Sequence, residues 1–251
     1  MGTAGRVFYG GIEKALGYLS TDAIIVGSEQ EYNACLRVGL PSRLLRVVIN
    51  GIKVPNLLPR REVRRALGVN EGEIVLGMVG RLTYQKAPER LVGALEKMPR
   101  DEITVLLLGD GEEKTCLTRR ILELGLGKRI KIHSGFDGQA NMPAFDFLVV
   151  PSRYESMGYV FLEAAAAGIP IISTDVGIAS IVVENGVNGI IVPNVDDPGV
   201  WASSIEKALL PQNFKKFAEN ARKKKAQFDV EQMVEQTLQI YRELLNLPRA
   251  S

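Results

Sequence analysis

From Ile74 onward the chain alternates short, continuously apolar segments with amphipathic helical stretches, and this alternation restricts the fold more than any other feature. Strands are predicted over "EIVLGMVG" (73–80), "EITVLLLGDG" (102–111), "RIKIHSG" (129–135), "DFLVVPS" (146–152), "IPIISTD" (169–175) and "GIIVP" (189–193). Helices are predicted over "APERLVGALEKM", opened by Pro88, over "EEKTCLTRRILELGLG", stopped by glycines, and near 198–210, 213–227 and 229–246. Strands that are apolar on both faces need cover on both faces. The fold class is therefore α/β, a doubly wound parallel sheet, which binds ligands at the carboxyl ends of its strands.

The first fifty residues follow a different plan. "GIEKALGYLS" reads as a helix, "DAIIVGS" as a strand, "EQEYNACLRVG" as a helix and "LLRVVING" as a strand; Pro55 and Pro59 then break the pattern. One βαβ unit cannot make a three-layer domain. Residues 1–52 are expected to be the C-terminal part of a truncated N-terminal domain, 53–72 a linker, 73–228 the ligand-binding domain and 229–251 a C-terminal helix.

Composition narrows the function classes. With 251 residues, 46% hydrophobic and 24% charged, the chain can bury a sizeable core. The balance of 31 basic against 29 acidic residues gives +2, which argues for no nucleic-acid partner. No apolar run approaches the roughly 20 residues of a membrane span, and no secretory signal is present, so a cytoplasmic location is expected. Cys35 and Cys116 read as reduced thiols. With His133 as the single histidine, no zinc spacing exists. His133 ends a predicted strand and reads as structural, or as the rim of a nucleotide pocket.

The chemistry gathers in "SRYESMGYVFLEAAAAG" (152–168), where Glu155 and Glu163 stand eight residues apart. A helix is predicted from about Gly158 with Ser156 as its cap, which leaves the N–H groups of Met157, Gly158 and Tyr159 free for a phosphate. Glu163 follows Gly158 by five residues, roughly 7 to 8 Å along the helix, which is the distance from a diphosphate to a ribose. A carboxylate there can accept hydrogen bonds from both ribose hydroxyls, and Glu155 can do the same for a sugar on the other side. A glutamate in an amphipathic helix ordinarily marks a solvated face; Phe161, Leu162, Ala164 and Ala165 instead place Glu163 in an apolar stretch. In "GRLTYQKAPE" (80–89), Gly80 ends a strand, and Arg81 and Lys86 follow as cations able to neutralise a diphosphate or as ordinary surface charges. Gly109, Asp110 and Gly111 are a weaker sign of the same kind.

Gly80-Arg81 with Lys86, then Gly109-Asp110-Gly111, "VVPSRYES", "FLEAAAAGIPIISTDVG" and "VENGVNGIIV" resemble, in order, the C-terminal donor-binding domain of family 4 retaining glycosyltransferases of the GT-B fold. "DAIIVGSEQEY" and "VVINGIKV" are similar to that family's last N-domain elements and interdomain crossover. The resemblance implies a Rossmann-like domain that binds a nucleotide diphosphate sugar, such as a UDP-, GDP- or ADP-sugar, and a transferase acting with retention and without a metal or other cofactor. It implies that Arg81 and Lys86 hold the diphosphate, that Glu155 holds the transferred sugar, that Glu163 holds the ribose, and that Ser156, Met157, Gly158 and Tyr159 complete the contacts. It also implies a glycan or lipid-linked acceptor. The departures are Ile178 and Ile181 after "TDVG", Met157 before Gly158, and Ala87 after the lysine. A non-catalytic nucleotide-sugar-binding or partner-subunit module is the alternative, because the N-terminal domain is incomplete. The helix "KKFAENARKKKAQF" (215–228) reads as a solvated basic face or as a peripheral membrane contact anchored by Phe217 and Phe228.

Overall fold

A computed structural model describes residues 16–17, 20–53, 56–224 and 228–246. In chain order the elements are β1 (Ile24–Val26), α1 (Glu29–Arg37), β2 (Leu45–Val47), α2 (Arg60–Ala66), β3 (Ile74–Val79), α3 (Pro88–Lys97), β4 (Ile103–Leu108), α4 (Lys114–Glu123), β5 (Ile130–His133), β6 (Phe147–Val150), α5 (Tyr159–Ala167), β7 (Ile171–Thr174), α6 (Ala179–Val182), β8 (Gly189–Val192), α7 (Pro198–Leu209), α8 (Pro211–Lys223) and α9 (Val230–Leu244). They fall into two compact units: the described residues up to Gly51 with those from Phe228 onward, and those of Ile52–Gln227.

In the smaller unit β1 and β2 pair in parallel, Ile24 opposite Leu45, with α1 as the crossover. The start of α1 is closed from two sides. Ser28 accepts a hydrogen bond from the Glu31 amide at 3.1 Å, and the Glu31 carboxylate accepts one from the Gly27 amide at 2.8 Å. Helix α9 belongs to this unit and is capped by Asp229, which accepts from the Glu231 amide at 3.0 Å. The helix expected over "GIEKALGYLS" falls on residues 11–20, most of which lie outside the described ones.

The larger unit is built on six parallel strands in the order β5-β4-β3-β6-β7-β8. Every residue of β4 and β6 is buried, as the unbroken apolar runs require. Helices α3, α4, α7 and α8 supply one continuous core with Leu76, Val105, Phe147 and Trp201 at its centre. Phe147 meets Phe214 and Phe217 edge to face, at centroid distances of 5.4 and 6.5 Å. Trp201 is fully buried and places its indole N–H on the Val195 carbonyl at 3.1 Å.

The segment expected as a linker contains α2. Pro59 stands immediately before the helix, where the lost amide matters least. Arg64, 4% exposed, then reaches from α2 to the Asp146 carboxylate at 2.7 Å and to the carbonyls of Ala144 and Glu73, each at 3.0 Å. These bonds make α2 an integral part of the larger unit. The strand order reverses direction between β3 and β6. The loops that follow these two strands diverge there, and the crevice between them is where a sheet of this type receives ligands.

Candidate functional site

The first wall of the site is the turn after β3. A side chain at Gly109 would put its Cβ 1.9 Å from the Gly80 carbonyl oxygen, so the turns after β3 and β4 can meet only because Gly109 has none. The Leu82 amide donates to the Asp110 carbonyl at 2.8 Å and completes the seam. This role is structural, and it holds the Arg81 turn in place. Arg81 is exposed and has no hydrogen-bond or ion-pair partner among the described residues. The amides of Lys86 and Ala87 both donate to the Thr83 carbonyl, at 3.0 and 3.1 Å, and Ala87 takes a left-handed conformation with φ of 50° before Pro88 opens α3. The Lys86 stem crosses Gly80, whose Cβ would lie 3.5 Å from Lys86 Cε.

The second wall follows β6. Lys86 Nζ meets Glu155 Oε1 at 2.5 Å, although 69 residues separate them in the chain. Ser152, fully buried, donates its hydroxyl to the same oxygen at 2.7 Å. The Glu155 side chain is 6% exposed and that of Lys86 19%. A carboxylate so enclosed is held by the two donors.

Helix α5 begins at Tyr159, and its preceding residue is Gly158 with φ of 79° and no side-chain cap. The expected cap, Ser156, is displaced from that role. The left-handed turn at Gly158, which a residue with a Cβ adopts only at a cost, puts the cap two residues later, and Ser156 stands exposed in the loop. Among the described residues no partner is found for the backbone N–H groups of Ser156 and Gly158, so two donors remain beside the helix start. Met157 is 9% exposed, and its carbonyl accepts from the Ile178 amide at 3.1 Å. Tyr159 is 53% exposed. Ile178 is fully buried.

Glu163 projects from the middle turn of α5 and is only partly exposed. Burial pushes its carboxyl above the usual range, the nearby Asp137 carboxylate pushes the same way, and Lys86 opposes them. No hydrogen bond satisfies it among the described residues. Glu163 is thus a desolvated acceptor beside a cation, in need of donors that the protein does not supply. The fold brings Gly80, Lys86, Glu155, Gly158 and Glu163 to the carboxyl ends of β3 and β6, with Arg81 exposed beside Gly80.

Sequence reasoning missed the frame that holds these walls together. Arg90, 5% exposed, donates to the Pro151 carbonyl at 2.9 Å, to Asn194 at 2.8 Å and to Asp196 at 2.6 Å. Arg153 donates to the Tyr84 carbonyl at 2.6 Å, to Glu89 at 2.6 Å and to Asp196 at 3.0 Å. Arg90, ahead of Arg153, holds the Asp196 carboxyl below its usual range. Asp137 was also missed. It sits in the loop after β5 and ties that loop down by accepting from the amides of Gln139 and Ala140.

Helix α8 turns Phe217 inward, 1% exposed, and Phe228 is 8% exposed; both anchors expected for a membrane contact are therefore buried. Lys225 lies outside the described residues. Among the described residues no helix is long and apolar enough to cross a membrane, and no group of three or more His, Cys, Asp or Glu side chains could hold a metal ion. Among the described residues, neither Cys35 nor Cys116 forms a disulfide. His133 packs edge to face on Phe136 at 5.3 Å, and burial chiefly pushes its imidazole below the usual value.

Known proteins resemble this chain over most of its length. An uncharacterized glycosyltransferase of Methanocaldococcus jannaschii is 29% identical over 245 residues, 91% of this chain and 62% of that protein. The D-inositol 3-phosphate glycosyltransferase of Corynebacterium urealyticum is 30% identical over 249 residues, 91% of this chain and 58% of that protein. The chain thus spans about 60% of the length of these relatives. Anabaena HepE, solved in complex with UDP and glucose, superposes with a TM-score of 0.81 at 26% identity, over 96% of this chain and 67% of that one. Sucrose-phosphate synthase from Thermosynechococcus elongatus superposes with a TM-score of 0.82 at 28% identity, over 96% and 62%. The sequence model of the glycosyl transferases group 1 matches residues 59–224, the span that contains every residue of the site, and the chain belongs to that family.

Proposed function

We propose that this chain supplies the donor-binding half of a retaining glycosyltransferase that moves a hexose from a nucleotide diphosphate sugar to a glycan or lipid-linked acceptor. One observation carries the reading: the Lys86–Glu155 pair at 2.5 Å lies beside the open start of α5, and the unpartnered Glu163 stands one and a half turns further on. Lys86 and Arg81 neutralise the diphosphate with the help of the Ser156 and Gly158 amides. Glu155 accepts from hydroxyls of the sugar, and Glu163 accepts from the ribose. Charge that develops on the departing diphosphate falls on these cations and on the helix start, so no bound metal is required. Anabaena HepE, solved with UDP-glucose, supports uracil as the base.

Calorimetry with UDP, GDP and ADP tests binding and identifies the base in one series. No binding of any of them at millimolar concentration overturns the donor-site reading. Transfer of glucose from UDP-glucose to oligosaccharide or polyprenyl phosphate acceptors, measured on this chain beside a version with a complete N-terminal domain, tests the activity; nucleotide binding with neither transfer nor hydrolysis in either protein would leave a binding module instead.

A further inference from the structure

We propose that Arg153 is a positioning residue of the donor site, setting the placement of Lys86 and Glu155 and so the fit of the diphosphate-linked sugar rather than that of the nucleoside. The proposal rests on the donor-site reading above and deepens it.

Arg153 lies two residues before Glu155, and its guanidinium grips the turn that carries Lys86 on both sides of that lysine. One arm holds the Tyr84 carbonyl at 2.6 Å, and the other holds the Glu89 carboxylate at 2.6 Å and Asp196 at 3.0 Å. The guanidinium plane lies over the Tyr84 ring, 3.9 Å from its centroid. The main chain repeats the grip: the Arg153 amide donates to the Gln85 carbonyl at 2.8 Å, and the Arg153 carbonyl accepts from Asn194 at 2.8 Å. Gln85 returns a bond to the Tyr154 carbonyl at 3.1 Å. The two turns that present Lys86 and Glu155 are therefore joined at every residue from Tyr84 to Gln85 and from Arg153 to Tyr154. Asp196 is shared with Arg90, which holds the Pro151 carbonyl at the head of the same loop.

Arg153 does this without offering itself to a ligand. Both of its terminal nitrogens are occupied by protein acceptors, its Nε is buried, and its side chain is 15% exposed. Its action passes through the other residues. A planar fork can hold two acceptors in different directions at once, which an ammonium on a flexible stem cannot. Glu163 and the start of α5 stand outside this frame, on the helix rather than on the turns. Loss of Arg153 thus loosens the sugar and outer-phosphate end of the site and spares the ribose end.

The test compares UDP-glucose, UDP and UMP by calorimetry at pH 7.5 for the wild type, Arg153→Lys and Arg153→Ala, with thermal melts alongside; the guanosine or adenosine forms replace these if that base is the one bound. Both variants are expected to weaken UDP-glucose by at least about tenfold, the order of loss for a misplaced charged hydrogen bond, and UMP by less than about threefold. An equal loss on all three ligands would show a general structural brace and overturn the proposal, as would wild-type discrimination in Arg153→Lys. If Arg153→Ala does not fold, Glu89→Gln, which weakens one acceptor of the fork, is expected to give a smaller loss of the same pattern. Glu163→Gln serves as the opposite control, weakening all three ligands. Failure of the wild type to bind any of them sinks the donor-site reading itself, a result distinct from failure of the Arg153 proposal.

Discussion

Replacing Glu163 by Gln removes one charge from the site with little change in shape. In the free protein this carboxylate is desolvated, faces Asp137 and has no hydrogen-bond donor, with Lys86 as the opposing influence. Bound nucleotide would supply two ribose hydroxyls. Hydrogen bonds to a charged acceptor contribute about 1.5–3 kcal/mol, against about 0.5–1.5 kcal/mol between neutral groups, so the substitution should cost roughly 1.5 to 3 kcal/mol over the two hydroxyls. At about 1.4 kcal/mol per tenfold, UDP affinity falls by one to two orders of magnitude. The same substitution should stabilise the free protein. A carboxyl whose folded pKa is raised binds its proton more tightly when folded; it costs no stability below the unfolded value of about 4.3, and the cost appears as pH rises through the higher folded value. Glu163→Gln is therefore expected to melt higher than the wild type at pH 7.5 and to lose that advantage near pH 4. Wild-type UDP affinity should fall more steeply than the variant's on acidification from a pH above the ordinary glutamate range, the variant keeping only the dependence that comes from protonation of the diphosphate itself. The decisive assay adds 2′-deoxy-UDP: removing the hydroxyl should weaken wild-type binding and leave the variant almost unmoved. Unchanged UDP affinity in the variant, or the same 2′-deoxy penalty in both proteins, refutes the assignment and returns Glu163 to a solvated helix face.

Three further outcomes follow from the geometry. Lys86→Met leaves the enclosed Glu155 carboxylate with Ser152 as its remaining side-chain donor, and should lower stability by about 3 kcal/mol, read by urea unfolding, while abolishing UDP binding in the micromolar range. Asp146→Ala strands Arg64, 5% exposed, without its carboxylate, and should cost about 3–5 kcal/mol in the same measurement with the UDP affinity of the folded fraction unchanged. Gly109→Ala drives a Cβ into the Gly80 carbonyl, 1.9 Å away, and should weaken UDP binding measurably by displacing the Arg81 turn; a variant with wild-type affinity and stability would show that the seam between the two turns does not hold the site.

Much of the larger unit was legible because its strands are buried on both faces and so appear as unbroken apolar runs; the strands predicted over 73–80 and 102–111 form at Ile74–Val79 and Ile103–Leu108. Helix α2 was not legible. Its prolines read as breakers, whereas Pro59 in fact introduces the helix, and the bonds that retain Arg64 come from residues some 80 positions away. The cap of α5 was misread by two residues because Ser156 has the chemistry of a cap, and only the left-handed backbone of Gly158 shows that the chain is not yet helical there. Arg153 carries no local signal, since it acts across a gap between loops, and the local turn that Asp137 makes gives no sign that its charge reaches Glu163.

The amino-acid order settles periodicity and local spacing: which segments are strands, that the sheet is parallel, and that Glu155 and Glu163 stand eight residues apart around a helix start. Those quantities depend on neighbours in the chain, and physical chemistry reads them from composition and period. The pairing of Lys86 with Glu155, the unmet carboxylate of Glu163 and the fork of Arg153 depend on groups tens of residues apart that folding brings together and partly buries. Burial there turns an ordinary glutamate into a desolvated acceptor, and desolvation is a property of the folded surroundings rather than of the residue.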